Sequence, residues 1–147
     1  MAAERDLLSR TESLPCSLLA RPGPGPELAN GALAGVECQA PVDGVSELKL
    51  FTFPNTWRLR LFHRARIDDS GELLRSDPGA CLQGRSGVKR WEHGRVACWL
   101  KEGRSKAVLH WTDERTDTYG IIRAEASANR RLDELWKAVT DQIAVDA

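Results

Sequence analysis

Four cysteines constrain this chain more than any other feature. They fall into two pairs, Cys16 with Cys38 and Cys81 with Cys98, and the second member of each pair sits in a strand-like run. Two intrachain disulfides are therefore expected, each contributing roughly 3 kcal/mol by restricting the unfolded chain. The spacings contain no C-x-x-C, so neither a thioredoxin-type redox pair nor a zinc ribbon fits. Two other uses of the sulfurs stay open. One is buried free thiols, as a reducing cytoplasm would give; the other is a metal site assembled from Cys81, Cys98 and a histidine.

A chain of 147 residues fits one domain, and a domain of that size buries roughly 68–70% of its unfolded surface. Disulfides would thus add to a core rather than replace one. Balanced charge, with 21 basic and 21 acidic residues, argues against a disordered or polyanion-binding chain as a whole. The balance is uneven along the chain. Residues 56–106 carry twelve basic and six acidic side chains, a local net of +6, whereas 1–55 and 107–147 each come to −3. A basic middle either faces an anionic partner or pairs with the acidic flanks.

No stretch approaches the ~20 apolar residues of a membrane-spanning helix, so no membrane insertion by this chain is expected. Residues 1–13 lack the apolar centre of a secretory signal. Disulfides persist in oxidising compartments, which sets two expectations for location. The domain is extracytoplasmic if it belongs to an exported or membrane protein, and cytoplasmic if the chain is complete as given.

Periodicity divides the chain. A short helix leads into a turn within 6–20, broken at Pro15, and the run RPGPGPELANG gives a flexible Pro/Gly loop at 21–31. Strands are expected at 33–40 and 45–53, the second with Leu48 and Leu50 opposing Phe51 and Phe53. Asn55 or Thr56 caps a helix to about Ile67, with Trp57, Leu61, Phe62 and Ala65 as its apolar stripe. An irregular stretch runs to about Lys89. Residues 95–100 and 106–112 then alternate as a hairpin, placing Val96 and Cys98, and Ala107, Leu109 and Trp111, on common faces. The polar turn DERTD leads to a strand at 118–124, and 128–143 is a helix with Leu132, Leu135, Trp136, Val139 and Ile143 inward. The fold expected is a single α+β domain, 1–147 with its core at 6–143. An antiparallel sheet of about five strands packs against two or three helices on one face. A faint internal duplication adds to this: each half reads helix, cysteine loop, cysteine strand, and a strand ending in LFTF or LHWT.

Cys16, VEC at 36–38, LFTF, GAC at 79–81, GRVACW at 94–99 and HWTDERTDTYG at 110–120 together resemble a family of small actinobacterial domains. Such domains occur as extracytoplasmic tails of membrane serine/threonine kinases and in unassigned proteins. The resemblance spans roughly residues 6–138. It implies a compact disulfide-bearing α+β domain, sensor-like at most, and carries over no catalytic residue.

The chemistry-bearing residues point the same way. His63, His93 and His110 lie on a helix, a loop and a strand without metal-ligand spacing. No catalytic residue, metal or cofactor is assigned, although a Cys81–His110 nucleophile pair would support a small hydrolase or thiol-dependent enzyme. The expected function is a non-catalytic recognition or sensor-like module for a protein or small ligand. Arg115, Tyr119, Trp91 and Arg58 are its candidate contacts. The basic helix together with Arg85, Lys89, Arg90, Arg95 and Trp91 supports a further alternative, anion binding, with nucleic acid the less favoured form because no nucleic-acid motif accompanies it.

Overall fold

A computed structural model describes residues 2–12, 14, 16–19, 31–39, 44–70, 87–101, 106–125 and 129–142. They form α1 (Ala2–Arg10), β1 (Cys16–Leu18), β2 (Ala34–Cys38), β3 (Val45–Thr52), α2 (Thr56–Ser70), β4 (Gly87–Trp91), β5 (Gly94–Lys101), β6 (Lys106–Asp113), β7 (Thr118–Glu125) and α3 (Asn129–Gln142). The strands make one sheet in the order β1-β2-β3-β7-β6-β5-β4, antiparallel at every step. The α+β class is as expected, but the sheet has seven strands rather than about five. The two additions, β1 and β4, are its edges. An edge strand is defined by its partner more than by its own pattern. Three residues of β1 pair with β2 in the register Cys16↔Cys38, and β4 folds back on β5 across the two residues Glu92 and His93.

The helices lie on both faces, which corrects the expectation of one. On the first face α1 contributes Leu7 and α3 contributes Leu135, Trp136 and Val139 to a core with Val36, Leu48, Leu50, Leu109, Trp111 and Ile122. On the second face α2 packs Leu59 and Phe62 against Phe51, Phe53, Tyr119 and Ile121. The cause is visible in β3 and β7. Leu50–Phe51 and Ile121–Ile122 are adjacent apolar residues that point to opposite sides, so both faces need cover. Two large aromatics lie across bare backbone: Phe51 opposite Gly35 and Trp111 opposite Gly120. A methyl group at either glycine would run into the ring.

The strand order places β1-β2-β3 and β6-β5-β4 on either side of β7, and α1 and α2 cover opposite faces. The apolar stripe of α2 differs from the expected one. Leu59, Phe62 and His63 are inward, whereas Trp57 is 67% exposed, Leu61 is 41% exposed and Ala65 is exposed. The helix turns this way because its start is tied to the sheet. Asn55 accepts the Arg58 N–H as its N-cap, and the Thr56 hydroxyl donates to Asp117 Oδ1 at 2.6 Å. Asp117 occupies the left-handed region at φ 51°, a conformation that Asp tolerates better than most residues.

Cys16 and Cys38 are disulfide-bonded, with Cα atoms 3.9 Å apart. Cys98 is disulfide-bonded as well. Its expected partner Cys81 and the loop 21–30 lie outside the described residues. No described helix is long and apolar enough to cross a membrane.

Candidate functional site

Antiparallel pairing puts Arg90 of β4 directly opposite Arg95 of β5. Like charges in that position are destabilising. Arg60 and Arg64 on α2 repeat the conflict at i, i+4. The two arginine pairs line one cleft of about 820 Å³, closed by Thr112, Glu114 and Arg115 from the β6–β7 end. Five arginines line it against two carboxylates, Glu92 and Glu114.

Backbone contacts hold the walls. The Glu114 N–H donates to the His93 carbonyl at 2.7 Å. The Arg95 N–H donates to Thr112 Oγ1 at 2.9 Å, and Trp91 Nε1 donates to the Thr112 carbonyl at 2.8 Å. Gly94 lets this hairpin tip sit directly on Thr112, since a Cβ there would meet the threonine backbone. The tip of β4–β5 is thereby fixed against the β6–β7 turn.

The arginines are not equivalent. Arg115 grips buried Asp113 through Nε at 2.9 Å and Nη2 at 2.6 Å, which raises its pKa, and its guanidinium lies 5.8 Å from the Trp91 ring centroid. Arg60 holds Glu114 through Nε at 3.1 Å and Nη2 at 2.5 Å. That bond, reinforced by Arg90 and Arg95, keeps the Glu114 carboxyl below the usual carboxylate range, against an opposing contribution from partial burial. Arg64, Arg90 and Arg95 form no salt bridge among the described residues. Among the described residues, three guanidinium groups thus border the cleft without a carboxylate of their own.

His63 adds a buried polar group. It is 3% exposed, and neither ring nitrogen has a hydrogen-bond partner among the described residues. Burial, helped by Arg95, pushes its pKa down to about 4, so the imidazole is neutral near pH 7 and presents one N–H donor and one acceptor. Behind it, His110 Nδ1 and Tyr119 Oη are 2.5 Å apart, and the Tyr119 ring packs near both histidines and Phe62.

Of the residues named from the sequence, Trp91 and Arg115 meet in this cleft. Arg58 is exposed on α2 and does not line it. Tyr119, read as a contact anchor, is completely buried because it occupies an inward position on β7, where it supports the region behind His63. Arg60, Arg64, Glu114 and His63 are site residues that the sequence reading leaves unassigned. Their signal is the i, i+3, i+4 spacing of Arg60, His63 and Arg64, which sets all three on one side of α2.

A second groove, about 920 Å³, lies beside the Cys16–Cys38 bridge and is lined by Glu12, Glu37 and Glu47. Glu47 is partnered by Lys49 at 3.0 Å and Arg123 at 3.8 Å. Glu12 and Glu37 have no ion pair among the described residues, so that groove is acidic where the arginine cleft is basic. Among the described residues no three His, Cys, Asp or Glu side chains converge as metal ligands. Cys98 is engaged in a disulfide, which removes its thiol from the Cys81–Cys98 metal alternative; Cys81 itself is outside the described residues. Comparison with protein-family models, curated proteins and solved structures finds no match.

Proposed function

We propose that the protein is a non-catalytic recognition module that binds a small anionic ligand in the cleft between α2 and the β4–β5 hairpin. One observation carries this reading: Arg60–Arg64 and Arg90–Arg95 are two self-repelling pairs turned toward the same space. Within each pair the like charges repel, and Arg60 alone of the four has a carboxylate partner among the described residues, Glu114. An anion between them converts both liabilities into charge-assisted hydrogen bonds, the geometry for which arginine is suited. A volume of about 820 Å³ falls within the range of small-molecule sites. The disulfide-bonded sheet suits an oxidising compartment, and extracytoplasmic sensing is the setting we assign to the module.

The test is a thermal-shift series with phosphate, sulfate and acetate at constant ionic strength, on wild type and on the double variant R90A/R95A. At least one anion should raise the melting temperature of wild type and lose that effect in the variant. Equal shifts in both proteins, or none in either, would remove the cleft as an anion site.

A further inference from the structure

Glu114 already occupies the anion position. Its carboxylate takes two hydrogen bonds from Arg60 and also feels Arg90 and Arg95, so the cleft contains an internal surrogate for an anionic ligand. A ligand must displace that surrogate, which is covalently attached and therefore present at high effective concentration. An incoming monoanion exchanges one single negative charge for another at Arg60 and leaves Glu114 displaced. A dianion gives more. It pairs with Arg60 and also engages Arg64, Arg90 and Arg95, which have no salt bridge among the described residues, so its second charge is matched where a monoanion leaves that capacity unused.

We infer that the cleft selects the doubly charged phosphoryl group of a small phosphomonoester, which takes the Arg60 guanidinium from Glu114. This rests on the anion-binding reading above. His63 supplies a third element. Its ring, 3% exposed, is a buried polar group with no hydrogen-bond partner among the described residues. A phosphoryl oxygen accepting its N–H would satisfy it without adding a further charge to a site already rich in arginine. The remaining cleft, walled by Trp91 and His93, receives the organic body of the ester.

The deciding experiment is isothermal titration calorimetry with phenyl phosphate and phenyl sulfate, esters of nearly the same shape that differ in charge at about pH 7.5, above the second phosphoryl ionisation near ~6. Wild type and E114Q are both titrated. Phenyl phosphate should bind wild type at least ~10-fold more tightly than phenyl sulfate. E114Q should tighten phenyl phosphate by about 10-fold, because Arg60 no longer holds a charged competitor. Equal affinity of the two esters for wild type overturns the inference, and so does an E114Q variant that binds phenyl phosphate no better than wild type. If neither ester binds either protein, the anion-binding reading itself fails. The Glu114–Arg60 pair is largely solvent-exposed on its arginine side, so E114Q is expected to fold, and its thermal melt is the control.

Discussion

The two faces of the sheet are built on different principles. On the first, α1 and α3 enclose an aliphatic layer around Trp111, joined at its edge by the Cys16–Cys38 bridge. On the second, α2 covers an aromatic layer that grades into a polar one: Phe53 and Phe62, then Tyr119 with His110, then His63, then the arginine cleft. The first face buries the larger set of apolar side chains, although the Trp111 and Trp136 indole N–H groups have no partner there among the described residues, and it is expected to carry most of the fold's stability. The second accepts an imidazole with no partner among the described residues and two arginine pairs whose repulsion only Glu114 relieves, features that suit binding. Stability and recognition are thus largely divided between the faces, with Trp91 as the link: it lines the cleft and packs on Trp136 of the first face, ring centroids 5.3 Å apart.

That separation is open to direct attack, beginning where the effect is largest. Trp111→Ala removes the first face's largest fully buried side chain from its position across Gly120. A loss of ~3–5 kcal/mol is expected in chemical denaturation. A loss below ~1.5 kcal/mol would show that the first face does not dominate stability. Next comes C16A/C38A, which opens a bridge spanning 22 residues. The unfolded-state entropy of such a loop corresponds to roughly 3 kcal/mol. Phosphate binding at the arginine cleft, at the opposite edge of the sheet, should survive in protein that remains folded.

A smaller and pH-dependent effect tests the second face. His63 has a folded pKa of about 4 against an ordinary 6.5, so between these values the unfolded chain binds more protons than the folded one. Stability attributable to this group is therefore complete above pH 6.5, falls as pH drops through the window, and levels off below about 4. The linkage amounts to about 2 kcal/mol at pH 5. His63→Leu should flatten that part of the stability profile while changing stability little at pH 7, because an unpartnered buried polar group is being replaced. An unchanged acid slope would place His63 in water rather than in the protein.

How much of this was legible in the sequence follows from which signals are local. Alternation in Val96–Cys98 and in Ala107–Leu109–Trp111 assigned the β5–β6 hairpin and its inward face, and 3.6-residue spacing assigned Leu135, Trp136 and Val139 of α3. Edge strands β1 and β4 carry no such pattern, being short and specified by their partners. The orientation of α2 was misread for a physical reason: Trp57, Leu61 and Ala65 form an apolar i, i+4, i+8 row, but the ties of Asn55 and Thr56 at the helix start turn Leu59, Phe62 and His63 inward instead. The site was half visible. A local charge of +6 in residues 56–106 marks the basic segment, and Trp91, Arg90 and Arg95 lie within it. That Arg60 and Arg64 face Arg90 and Arg95, with Glu114 between them, depends on the return of β4–β5 beside α2, a contact between segments far apart in the chain.

The smallest effect separates the two faces most sharply. Asn55 is exposed and does not line the cleft, yet its side chain caps the sole described helix on the second face. Asn55→Ala should lower global stability by only about 1 kcal/mol. Since α2 carries Arg60, His63 and Arg64, fraying of its first turn loosens one wall of the cleft, while the first face is packed by α1 and α3. Amide hydrogen exchange should therefore quicken in the first turn of α2 and in the 114–117 turn that Thr56 anchors, with β2 and β5 unaltered. Uniform quickening across the sheet would instead mean that the two faces unfold as one unit, and that recognition and stability are coupled through the sheet rather than divided by it.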